Sequence, residues 1–121
     1  MIIASRQLNH TMNKIDCPIT NSLKLIGGKW KIAITYNLRK GPIRFGELKK
    51  VLAPITQQML TKQLREMERD QLVIRKVYEV VPPKVEYSLT EFGLSLGPIL
   101  DSWCKWGTDN QDVMQNIFDN R

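Results

Sequence analysis

A chain of 121 residues, 42% of them hydrophobic, suits one domain of ordinary size with a real core. No run approaches the roughly 18 apolar residues of a membrane span, two cysteines are too few for a disulfide scaffold, and a single histidine, His10, excludes multi-histidine metal sites. The net charge of +6 is laid out in blocks: residues 29–84 carry +8, whereas residues 85–121 carry −4. That polarity points to a nucleic-acid-facing middle and an acidic end that phosphate would repel.

Residues 1–16 show no clear period and read as an N-terminal arm. They lack the long apolar core of an export signal, which predicts a reducing cytoplasm. Pro18 then opens a helix, where a first turn tolerates proline. Ile19, Leu23 and Ile26 follow at helical spacing, and Gly27-Gly28 closes it. A second helix spans Lys29 to Arg39, with Trp30, Ile34 and Leu38 on one face, and Gly41-Pro42 stops it. Arg44 begins a short helix that runs to Leu52, with Phe45, Leu48 and Leu52 inward.

Ala53-Pro54-Ile55 makes a turn, since Pro54 cannot continue a helix. Thr56 caps the next helix, which buries Leu60, Leu64 and Met67. Val73 to Val80 and Val85 to Leu89 alternate as strands, and a stiff Pro82-Pro83 tip joins them. Thr90 caps a long last helix on which Phe92, Leu96, Ile99, Leu100, Trp103 and Trp106 repeat at three- or four-residue steps. Gly97-Pro98 kinks it, Gly107 breaks it, and a short helix follows in residues 108–121. The fold class read from this order is mainly α with a two-stranded β wing (α+β): a winged helix-turn-helix over residues 17–107, with a C-terminal extension.

The helix after Thr56 is the candidate reader of DNA. Its outward face carries Gln57, Gln58, Thr61, Lys62 and Arg65, and Thr56 at its start is a further DNA-binding candidate. Gln bonds adenine bidentately and Arg does the same to guanine. Gln57, Gln58 and Thr61 are placed at base edges, Lys62 and Arg65 nearer phosphate or guanine. Lys84 at the wing tip reaches backbone phosphate. Lys76 on the first wing strand stands equally between that role and a solvated face. Arg44 is a further phosphate ligand.

Leu96, Ile99, Leu100, Trp103 and Trp106 offer more apolar surface than so small a domain covers by itself, which predicts a symmetric dimer through the terminal helices and a pseudo-palindromic site. Cys17 precedes Pro18 at a helix amino end, where the dipole favours the thiolate. A small buried residue is the plainer reading of the same position. The chain has no CxxC, no GxGxxG and no phosphate-binding glycine loop. No enzymatic activity, cofactor or metal site is expected.

LIGGKW at 25–30, RFGEL at 44–48, LTKQLREMERDQLVIR at 60–75, PPKVEYSLTEFG at 82–93 and WCKWG at 103–107 together resemble the HxlR-type transcriptional regulators, bacterial winged-helix proteins related to the MarR group. The resemblance covers residues 17–107. It implies a homodimer that binds double-stranded DNA through residues 56–70 and the wing, with dimer contacts from the N-terminal segment and the C-terminal helix. It also implies a small-molecule or electrophile effector: some members sense quinones or aldehydes at the cysteine of a Cys-Pro dipeptide, which Cys17-Pro18 matches. Gln71 departs from the family, which carries glycine there, and costs a left-handed helix cap. A winged-helix module that binds protein rather than DNA is the alternative, because a fold does not fix a function.

Overall fold

The structure, a computed structural model, describes residues 17–121. The arm expected at 1–16 lies outside the described residues. Helix α1 covers Pro18–Ile26, with Pro18 in its first turn and Cys17 as the extended residue ahead of it. Helix α2 covers Lys29–Leu38. Gly28 between them takes φ 90°, a conformation open to glycine without strain.

Strand β1 is Ile43–Arg44 and helix α3 is Phe45–Val51. Helix α4, the candidate reader of DNA, is Gln57–Arg69. Strands β2 (Val73–Tyr78) and β3 (Lys84–Leu89) form the wing. Helices α5 (Glu91–Leu94), α6 (Gly97–Asp109) and α7 (Gln111–Asp119) complete the described chain.

The mainly α fold with a β wing is as the sequence reads, with one addition. The sheet has three antiparallel strands, ordered β1-β3-β2, because Ile43 pairs with Tyr87 and Arg44 with Glu86. Arg44 therefore ends a strand and precedes α3 instead of starting it. The wing ladder runs in register from Val73 opposite Leu89 to Tyr78 opposite Lys84. Lys84 thus opens β3, and the tip beyond the ladder is Glu79 to Pro83.

The core gathers Ile34 and Leu38 of α2, Leu48 of α3, Leu60, Leu64 and Met67 of α4, and Leu72, Val73, Tyr87 and Leu89 around the sheet. The 3.6-residue period of Leu60, Leu64 and Met67 fixes which face of α4 points out. Thr56 caps α4, its hydroxyl accepting the Met59 N–H at 3.1 Å.

The helix closes on a Schellman motif. The Gln71 N–H bonds the Glu68 carbonyl at 3.1 Å and the Leu72 N–H bonds the Met67 carbonyl at 2.8 Å. Gln71 sits at φ 63°, so the left-handed cap forms even without glycine. Thr90 joins this corner to the last helices: its hydroxyl donates to the Gln71 carbonyl at 2.6 Å and accepts from the Gly93 N–H at 3.0 Å. A Cβ on Gly93 would lie 2.3 Å from the Leu72 carbonyl oxygen, which restricts the position to glycine.

Two expectations for the C-terminal helices are corrected. Gly97-Pro98 does not kink one long helix; α5 stops at Leu94 and α6 starts anew at Gly97. Pro98 lacks the N–H that a continuous helix needs, but is well suited to a first turn. Nor does Gly107 break α6, which continues to Asp109. The break comes at Asn110, whose side chain donates to the Trp106 carbonyl at 2.8 Å.

Candidate nucleic-acid interface

A cleft of about 630 Å³ separates the outward face of α4 from the wing. Gln57, Thr61 and Arg65 line its helix side, Arg44 and Lys84 the sheet side. Five of the residues picked from sequence therefore converge. Gln58 and Lys62 lie on the outer flank of α4, next to Gln57, Thr61, Arg65 and Glu66 on a second, open surface. Thr56 is at the start of the same helix, with its hydroxyl committed to the cap.

Lys76 does not join them. It pairs across the ladder with Glu86, while its neighbour Arg75 pairs with Tyr87. Cross-strand partners share a face and consecutive residues alternate. Arg75 is thus on the sheet face of the buried Tyr87, and it, not Lys76, lines the cleft wall with Arg65 and Glu68. The Lys76 ammonium lies 4.8 Å from the centre of the Tyr78 ring and that of Lys84 lies 4.3 Å from it. The Tyr78 hydroxyl donates to Glu86 at 2.9 Å, which fixes the ring beneath both cations.

The electrostatics of the cleft are uneven. Elsewhere Lys31, Arg39, Lys50, Lys62, Arg69 and Lys105 each meet a carboxylate. Among the described residues, Arg44, Arg65 and Arg75 form no such ion pair, and Glu68 is the one carboxylate on the cleft wall. On the flank of α4, Glu66 accepts from the Lys31 ammonium of α2 at 2.7 Å and approaches Lys62 at 3.5 Å. The Lys31 hydrogen bond, helped by the charges of Lys31 and Lys62 and opposed by desolvation, holds the Glu66 carboxyl below the usual range.

The α6 stripe divides. Leu100 is 3% exposed within the chain's own fold, and Leu96 packs against the core. Ile99, Trp103 and Trp106 are 59%, 52% and 59% exposed. Val113, Ile117 and Phe118 of α7 are exposed as well. Cys17 is half-buried at the amino end of α1, whereas Cys104 is exposed on α6 with its sulfur 3.7 Å from the Tyr36 hydroxyl. No described helix is long and apolar enough to cross a membrane.

The sequence pattern of the HxlR-like helix-turn-helix matches residues 25–115, reaching past Gly107 into α7. The chain is 48% identical over 116 residues to the HTH-type transcriptional regulator YybR of Bacillus subtilis, covering 96% of this chain and 93% of that one. Among solved structures it is similar to the redox regulator HypR in its reduced form, with a TM-score of 0.78 and 50% identity over 83% of this chain and 99% of the other. It is also similar to the reduced transcriptional regulator YodB of B. subtilis, with a TM-score of 0.67 and 35% identity over 75% and 90% of the two chains.

Proposed function

The chain belongs to the HxlR-like helix-turn-helix family, and on that premise we propose that it is a sequence-specific, DNA-binding transcriptional regulator that acts as a homodimer on a pseudo-palindromic operator. The observation that carries this reading is the cleft itself: a capped helix with a polar outer face, set beside a wing, with arginines on both walls that meet no carboxylate among the described residues. Thirteen residues give α4 a length of about 20 Å at 1.5 Å per residue, enough to lie in a major groove. Gln57, Gln58 and Thr61 meet base edges, Arg65 meets guanine or phosphate, and Lys62, Arg44 and Lys84 meet phosphate. Lys76 has the weakest claim, being outside the residues that line the cleft.

Residues 17–107 form the DNA-binding and dimerising unit, and residues 108–121 extend it. The partner is a second copy of the chain, held through Ile99, Trp103 and Trp106, with Leu96 and Leu100 anchoring the helix from within. Most soluble oligomers are twofold, and a twofold dimer places two recognition helices about one turn of DNA apart. Cys17 serves as the sensor of an oxidant or electrophile effector. In support, the thiol precedes the nine-residue helix α1, a position that favours the thiolate, and the similar HypR is a redox regulator.

Selection of bound duplexes from randomised DNA at about physiological salt tests the reading. An enriched pseudo-palindrome supports it; retention without a consensus, or no retention, rejects it in favour of a protein-binding module. For the sensor, Cys17→Ser is expected to keep DNA binding and lose release by a quinone or diamide. A variant still released removes Cys17 from the mechanism.

A further inference from the structure

We propose that Arg75 is a DNA-backbone ligand at the base of the wing, clamping a phosphate on the rim of the groove that α4 reads. The proposal rests on the DNA-binding reading above and adds a residue to it. Three observations carry it. The first is register: opposite Tyr87, Arg75 projects to the face of the sheet that turns toward the helices. Tyr87 itself is buried there, its ring 6.5 Å from that of Phe45.

The second is company. Arg75 shares one cleft with Arg44 and Arg65, and among the described residues Glu68 is the carboxylate on the wall that offsets them. Like charges gathered in a cleft raise the potential that draws in an anion, and a bound phosphate relieves their repulsion. The third is availability. Arg75 is exposed and, among the described residues, has no carboxylate within ion-pair distance. A guanidinium so placed keeps its fork of N–H donors for a bidentate phosphate contact. A helix fills the groove it reads, so a side chain from the strand beside that helix meets the groove's rim, which is phosphate rather than base.

The test uses the full chain and two duplexes, one enriched by selection and one unrelated, titrated by fluorescence anisotropy from about 50 to 200 mM salt. Arg75→Gln is expected to weaken both duplexes by the same factor and to reduce the slope of log affinity against log salt by about 1.8, the loss of one phosphate contact from each protomer of the dimer. Arg75→Lys should keep the slope, and Lys76→Gln should change it much less than Arg75→Gln does. Melting curves establish that each variant is folded. A wild-type slope in Arg75→Gln overturns the proposal, as does an equal loss in Arg75→Lys, which marks a structural role. Weakening confined to the enriched duplex overturns it too, by making Arg75 a base reader. If the wild type shows no salt-dependent binding to either duplex, the DNA-binding reading fails first and takes this proposal with it.

Discussion

The ammonium of Lys31 on α2 stands 2.7 Å from the Glu66 carboxylate on α4, so an ion pair ties the candidate reading helix to α2. Because Lys31 and Lys62 hold Glu66 below its ordinary value near 4.5, the unfolded chain binds more protons than the folded one just below that pH. The stabilisation is complete above pH 4.5 and is lost as pH falls through the lower, folded value. Glu66→Gln should flatten this limb. Melting temperature measured from about pH 5 to pH 3 is expected to fall more steeply in the wild type than in the variant. Parallel curves would show that the pair does not couple folding to protons.

Gln71 closes α4 at φ 63°, where a side chain crowds its own backbone. Both Schellman hydrogen bonds form regardless, so the departure from glycine leaves strain and not a missing cap. Gln71→Gly should relieve that strain. Glycine's greater freedom in the unfolded chain offsets part of the gain, which leaves a stabilisation of about 0.5–1 kcal/mol. A higher urea midpoint at unchanged slope would show it. A midpoint that stays or falls would place the left-handed cost elsewhere.

What the sequence discloses follows from how many residues carry each signal. The buried face of α4 is legible because Leu60, Leu64 and Met67 repeat over two turns, and Thr56 announces its start. Strand β1 is hidden because Ile43 and Arg44 are too few to show alternation; only pairing with β3 defines them. Arg75 and Lys76 are adjacent cations on a strand, and a one-residue choice reverses their faces. Register settles it through Tyr87, which is buried although its hydroxyl suggests a surface residue. On α6 the periodic stripe is visible, but a period cannot separate Leu100, which the chain covers itself, from Trp103, which it leaves open.

Arg65 on α4 and Lys84 at the start of β3 both border the cleft and should fail differently. Arg65→Ala is expected to weaken binding to the selected duplex by roughly 1–3 kcal/mol and to relax preference at one base pair. Lys84→Ala should weaken all duplexes about equally and flatten the salt dependence by one contact per protomer. Titrations of both variants against matched and single-mismatch duplexes separate the two roles. Equal effects on every sequence for Arg65→Ala would reassign it to phosphate.

Leu100 and Trp103 lie three residues apart on α6, one inside the chain's own fold and one outside it. Leu100→Ala removes a buried side chain and should cost about 2–5 kcal/mol of stability through the cavity it leaves. Trp103→Ala removes an exposed ring from a surface that Ile99 and Trp106 continue. It should spare the fold of the single chain and weaken association by about 2 kcal/mol or more, as central aromatic anchors do. Sedimentation equilibrium over a range of concentrations, with circular dichroism on the same samples, reads both effects. A Trp103→Ala protein that associates like the wild type would move the twofold contact away from α6, and the exposed row of Val113, Ile117 and Phe118 on α7 would be the next surface to truncate.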